Sequence, residues 1–150
     1  MDYITLRSPA FSDHTPIPAE YAHAQGDVSP PLVWSPPPGA VAELALICED
    51  PDAPAGTFVH WLLAGIDPDA GGVEAGGVPE GAAVGRNDFG FRGYGGPHPP
   101  VGDDPHRYVF RLYGLSGATG LKDGFTADDF RTAVEGKTVA SGALVGTYGR

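Results

Sequence analysis

"GFRGYGGPHPPVGDDPHRYVF" (residues 90–110) sets five glycines and four prolines directly ahead of a strand-like run that opens at His106. Glycine frees the backbone and proline fixes it, so a loop rich in both is shaped before anything binds to it. The run it leads into, "HRYVFRLYGL" (106–115), puts His106, Tyr108, Phe110 and Leu112 on one face, polar groups at the mouth and apolar ones further in. Runs of the same kind are "YITL" (3–6), "LVWS" (32–35), "VAELALICE" (41–49), "TFVHWLLAGI" (57–66) and "ALVGTY" (143–148). Short strands separated by turn signals imply a mainly β protein, either a sandwich or a barrel.

Two segments read differently. In "TADDFRTAVEGK" (126–137), Thr126 is an N-cap, Asp128 and Asp129 sit in the first turn, and Phe130, Ala133 and Val134 share a face. Gly136 ends it, which predicts a short helix covering the sheet. The stretch "SPPLVWSPPPG" (29–39) has the look of a polyproline ligand, but prolines around a short apolar run more often mark an edge strand and its turns.

A length of 150 residues is that of one domain, residues 1–150, with a single core. Gly 23 and Pro 16 make it loop-rich, while 41% apolar residues supply enough material for packing. No apolar stretch reaches 18 residues, and "MDYITLRSPAF" lacks a charged segment followed by an apolar one, so neither a membrane span nor a signal peptide is indicated. The expected compartment is the cytoplasm. Cys48 is the single cysteine, which excludes an internal disulfide and a cysteine-based zinc site. A net charge of −10, without a basic stripe, argues against nucleic acid. Residues 86–111 nevertheless carry Arg86, Arg92, Arg107 and Arg111 against Asp88, Asp103 and Asp104, a local positive excess that could attract a small anion.

In "ICEDPDAPAGTFVHW" (47–61), Pro51 holds its neighbours away from helix, so Asp50 and Asp52 leave the end of a strand in an extended or turn conformation. Both could merely tie down their own backbone in an Asx-turn. His60 weakens that reading, because an antiparallel return brings it beside the strand end. Regular alternation would put Phe58, His60 and Leu62 on one face and Val59, Trp61 and Leu63 on the other. A histidine beside a carboxylate favours its cationic form, and a cation at a cleft mouth, with glycine-loop N–H groups, holds an anion. Tyr108 would add a hydroxyl donor, and Gly95 and Gly96 would let the backbone approach a ligand. Other chemistries are weaker. His60, His98, His106 and an aspartate form a conceivable metal set without HxH or HExxH spacing. Cys48, inside "LALICED", reads better as a small buried hydrophobe than as a nucleophile, and no GxSxG elbow is present.

"DPDAPAGTFVHW" and "GYGGPHPPVGDDPHRYVF" resemble the two signature regions of the phosphatidylethanolamine-binding protein family, in its bacterial Raf-kinase-inhibitor-like branch. "AFSDHTPIPAEYA", "DVSPPLVWSPPPGAVAELALICEDPDAP" and "ALVGTYGR" follow in the family's order, so the resemblance spans nearly the whole chain. It implies an antiparallel Greek-key β-sandwich with one or two short peripheral helices and a small anion pocket at one end. By that matching Asp50, Asp52, His60, His106 and Tyr108 are pocket residues, and Gly96, His98, Pro99 and Pro100 form its rim. His98 stands where the bacterial branch often has cysteine, so a third imidazole is expected at the rim. The sequence ends at Arg150 without the C-terminal helix that borders the pocket in mammalian members, which implies an open pocket or one covered by a second subunit, as in a homodimer. The expected function is binding of a small anionic or phosphorylated ligand, with a regulatory role. The alternative is a small-molecule enzyme using Asp50, His60, His106 and Tyr108 for acid/base chemistry on a carbonyl or carboxylate metabolite. No cofactor, no resident metal, no nucleic acid and no integral membrane contact are expected.

Overall fold

The computed structural model describes residues 2–150. Its elements run β1 (Asp2–Tyr3), β2 (Leu6–Arg7), β3 (Thr15–Pro16), two single 3-10 turns (Ala19–Tyr21 and His23–Gln25), β4 (Leu32–Trp34), β5 (Glu43–Asp50), β6 (Phe58–Ile66), β7 (Gly72–Val73), β8 (Ala83–Val84), β9 (His106–Leu115), α1 (Ala127–Val134) and β10 (Thr138–Tyr148). The large sheet has the order β1-β10-β9-β5-β6-β8, with β3 also paired to β10, and β2-β4-β7 form a small second sheet. The order β9-β5-β6-β8 is a Greek key: three antiparallel strands, then a fourth that returns to lie beside the first. The long strands pair antiparallel, while the short β1 and β3 join β10 in parallel.

The alternation along β5 explains its place at the centre. Leu44, Leu46 and Cys48 face the small sheet and pack with Leu6, Leu32 and Trp34, together with Trp61, Leu63, Phe110 and Leu112. Ala45 and Ile47 face the other way, into a second cluster of Val59, Leu62, Leu115, Phe125 and Phe130. A strand buried on both faces reads as a nearly continuous apolar run, and "LALIC" is one. Helix α1 closes the second cluster through Phe130, which is fully buried. Its start is fixed by a capping box, in which the Thr126 hydroxyl accepts from the Asp129 N–H and the Asp129 carboxylate accepts from the Thr126 N–H.

Three details differ from the sequence reading. "YITL" is divided between the sheets, Tyr3 pairing with β10 and Leu6 with β4, so the chain crosses the sandwich at Ile4 and Thr5. β10 starts at Thr138 and not at 143, because Ser141 and Gly142 are strand residues. Gly142 is required there, since a Cβ would meet the Ile4 carbonyl of the crossing chain. The proline-flanked run gives β4, which lies in the middle of the small sheet and not at its edge, the prolines falling outside its three residues.

Candidate functional site

Antiparallel order brings three strand ends together at one end of the large sheet: β5 ends at Asp50, β6 begins at Phe58 and β9 begins at His106. There the β5–β6 ladder slips by one residue, Cys48 facing Trp61 while Glu49 faces Val59. His60 is the extra residue of this bulge. The slip breaks the expected alternation, since Val59 joins Leu62 in the α1-side cluster while Trp61 and Leu63 join the inter-sheet core. A bulge turns one side chain out of the regular pattern, and here it sends His60 to Tyr108, the two rings near perpendicular with their centroids 5.2 Å apart.

The result is a cavity of about 200 Å³ lined by Asp50, Ala53, Pro54, Phe58, His60, Phe89, His98, Pro99, Pro100 and His106. Its charged centre is a buried pair, the His106 Nδ1–H donating to Asp50 Oδ2 at 2.7 Å. The other Asp50 oxygen accepts the Asp52 N–H at 2.8 Å, so Asp50 forms the Asx-turn and orients the histidine at once. On its far side the His106 Nε2–H meets Asp103 Oδ2 at 3.1 Å. Burial opposes the His106 charge, but the two carboxylates outweigh it and raise its pKa above the ordinary imidazole value. His60 behaves oppositely. Its Nδ1–H donates to the Gly95 carbonyl at 2.6 Å, and burial pulls its pKa down, leaving a neutral ring. His98 is exposed on the rim, and partial burial, Arg150 and His23 lower its pKa as well. Of the three imidazoles at the cavity, His106 is therefore the one whose cationic form its surroundings favour.

Not every expected residue enters the cavity. Tyr108 lies beneath it, its hydroxyl buried without a hydrogen-bond partner among the described residues and its pKa pushed well up by burial and then by Asp50. Asp52 turns away to Arg107, accepting from the Arg107 N–H, Nε and Nη2 at 2.8–3.0 Å, and the side-chain hydrogen bond holds its carboxyl at about 2. Gly96 donates its N–H to Asp27 Oδ1 at 2.9 Å and packs on Ala22 and His23, where a Cβ would lie 2.7 Å from the backbone. Gly95 gives its N–H to the His60 carbonyl at 2.9 Å and leaves room for the Phe89 ring. The close approach served by both glycines is thus to their own chain.

Phe89 and Asp27 escaped the sequence reading. Phe89 forms an aromatic wall, stacked on His23 at 4.5 Å and edge-on to Phe58 at 4.8 Å, and is turned inward by Asn87, whose Oδ1 accepts its N–H. The sign that could have found it is "RNDFG", an Asn-led turn with a large aromatic at its tip. Asp27, left-handed at φ 59, holds both Gly96 and His23 and so ties the rim loop to residues 19–27. Arg150 braces the same loop through Nε to the Pro99 carbonyl at 2.7 Å. Cys48 is fully buried, and desolvation pushes its thiol pKa well up, in keeping with a packing role. Among the described residues no group of three or more His, Cys, Asp or Glu side chains is arranged to hold a metal ion. No helix among them is long and apolar enough to cross a membrane.

A two-layer β-sandwich with a small, aromatic-walled polar cavity where three strand ends meet defines a class of ligand-binding fold. The family model described as phosphatidylethanolamine-binding protein matches residues 7–149, and the chain belongs to that family. It is 42% identical to a UPF0098 protein of Methanothermobacter thermautotrophicus, over 98% of this chain and 99% of the relative. A Mycobacterium tuberculosis relative named "Putative lipoprotein LppC" is also 42% identical, over 97% of this chain and 72% of the relative. Among solved structures, the homologue CT736 of Chlamydia trachomatis superposes with a TM-score of 0.91 at 35% identity, covering 100% of this chain and 99% of that one. Escherichia coli YbcL gives 0.92 at 25% identity, with 98% of both chains covered.

Proposed function

We propose that the protein binds a small anionic or phosphorylated ligand in the Asp50–His106 cavity, with Phe58 and Phe89 against the apolar part of the ligand and His98, Pro99 and Pro100 as the rim. The observation that carries this reading is a buried imidazole hydrogen-bonded to Asp50, which favours its cationic form, at the wall of a small cavity. The family is one of ligand-binding folds, and a pocket of this kind fixes orientation with few polar groups. Asp52 and Gly96 support the site from behind, the first through Arg107 and the second through Asp27. A regulatory role through bound ligand and a homodimer covering the mouth belong to the same proposal, and sedimentation with and without ligand tests the assembly.

An acid/base enzyme is the second reading. Its support is that His60 and His106 lie in one cavity with pKa values pushed in opposite directions, one ring a neutral base and the other a charged acid, with the unpartnered Tyr108 hydroxyl nearby. Calorimetry with inorganic phosphate on wild type, Asp50→Asn and His106→Ala tests binding, and incubation of the same proteins with a metabolite panel, followed by mass spectrometry, tests turnover. Phosphate binding weakened in Asp50→Asn and lost in His106→Ala, with no product formed, supports the binder. Turnover abolished in both variants while substrate binding persists overturns it in favour of the enzyme.

A further inference from the structure

The N–H donors in and around the cavity are already engaged, which leaves the buried Tyr108 hydroxyl beneath it as the unpartnered one among the described residues. The His106 Nδ1–H is held by Asp50, the Gly95 N–H by the His60 carbonyl and the Gly96 N–H by Asp27. The His60 Nδ1–H goes to the Gly95 carbonyl. The His106 Nε2–H meets Asp103, and this partner differs from the rest in its surroundings: the Asp103 side chain is 43% exposed, against 5% for Asp50. A buried carboxylate released from its donor has nowhere to be solvated, whereas one at the surface exchanges the donor for water at little cost. Asp103 also sits at a surface turn, where the Gly102 N–H is held by the Arg150 carbonyl at 3.0 Å. It follows Gly102, which is left-handed at φ 91, in a turn closed by a long 3.3 Å hydrogen bond from its own N–H to the Pro100 carbonyl.

Charge points the same way. With His60 neutral, the groups that meet at His106 are two carboxylates and one imidazolium, and a third anion beside them is opposed by Coulomb repulsion. If Asp103 swings into solvent, Asp50 and His106 remain as a neutral pair with one strong donor aimed outward. We infer that Asp103 decides which ligands the cavity accepts: its carboxylate occupies the His106 Nε2–H as an internal stand-in, and an anionic group binds only by displacing it. This rests on the anion-binding reading above. It also assigns a purpose to a residue outside the cavity: Asp103 lines a shallow depression with Asp52, Asp104 and Pro105, and His106 is the wall the depression shares with the cavity. Ligands with a phosphate or carboxylate strong enough to replace Asp103 are admitted, and neutral ligands of the same size gain nothing from the exchange.

The test is isothermal calorimetry of inorganic phosphate on the full chain, wild type against Asp103→Ala, Asp104→Ala and the Asp103→Ala/His106→Ala double variant. Asp104 is an exposed carboxylate next in sequence, so its removal changes net charge equally without touching His106. The expected result is binding about tenfold tighter in Asp103→Ala, a change under about twofold in Asp104→Ala, and no gain in the double variant. The His106 imidazole, followed by NMR without phosphate, should titrate at lower pH in Asp103→Ala because one of its two carboxylate partners is gone. Wild-type binding that is unchanged or weakened in Asp103→Ala overturns the role of Asp103 and leaves the anion site standing, as does an equal gain in Asp104→Ala. Failure of both wild type and Asp103→Ala to bind phosphate overturns the anion-binding reading itself.

Discussion

Replacing Asp50 by asparagine keeps the shape of the side chain and removes its charge, which isolates what the carboxylate does for His106. Asp50 accepts two hydrogen bonds, from the Asp52 N–H at 2.8 Å and from the His106 Nδ1–H at 2.7 Å, and no water can replace them at a side chain 5% exposed. In the Asp50→Asn protein the amide oxygen retains the first. The amide NH2 then faces Nδ1 of His106, donor against donor, so the ring gives up its proton or the contact is lost. A charge-assisted hydrogen bond contributes about 1.5–3 kcal/mol, and because Asp103 still partners Nε2 the lower half of that range applies, about 2 kcal/mol. For a domain of this size each kcal/mol shifts Tm by roughly 2–4 °C, so calorimetric scans at pH 6 should show a drop of about 4–8 °C. Phosphate affinity should fall in parallel by about tenfold at pH 7, as His106 returns toward an ordinary imidazole. A Tm within about 1 °C of wild type, with phosphate affinity unchanged, would refute the claim that Asp50 charges and orients His106.

Three further outcomes follow from the same geometry. His106, whose pKa is raised in the folded state, contributes stability that is complete below the unfolded value of about 6.5 and disappears as pH rises through its folded value, whereas His60, lowered by burial, withdraws stability as pH falls below about 6.5. Urea unfolding across pH 5–9 should therefore lose its alkaline decline in His106→Gln and part of its acid decline in His60→Gln. Asp52, held at about 2 by Arg107, supplies stability present above about pH 3.9 and lost as pH falls toward 2, so Arg107→Gln should flatten that part of the acid limb relative to wild type. Gly142→Ala, which drives a Cβ against the Ile4 carbonyl where the chain crosses between sheets, should destabilise by at least about 2 kcal/mol, while Thr126→Ala, which removes the α1 cap, should lose about 1 kcal/mol in the same unfolding assay.

What the sequence revealed and what it hid divide along the range of the interactions involved. The long strands β5, β6 and β9 and the helix α1 were legible because local alternation, an N-cap and a Gly stop are written in neighbouring residues. The full length of β10 was not, because Ser141 and Gly142 look like a turn until Ile4, from the other end of the chain, is seen to need the space. The site divides in the same manner. Asp50, His60, His98 and His106 could be named from their motifs, yet the route by which His60 reaches the cavity is a bulge, and a one-residue slip in pairing depends on both strands together. The glycine loop looks in the sequence like a place for a ligand to approach, whereas Gly95 and Gly96 are occupied by Phe89 and by residues 21–23. The stiffness of that loop has a corresponding cause: Asp27, Arg150 and His60 each hold one of its backbone groups, so the rim at His98, Pro99 and Pro100 stands fixed while its neighbour Asp103 stays half-exposed. A rigid rim beside one displaceable carboxylate confines the adjustment for a ligand to a single side chain, and in the Asp103→Ala protein even that adjustment is no longer needed.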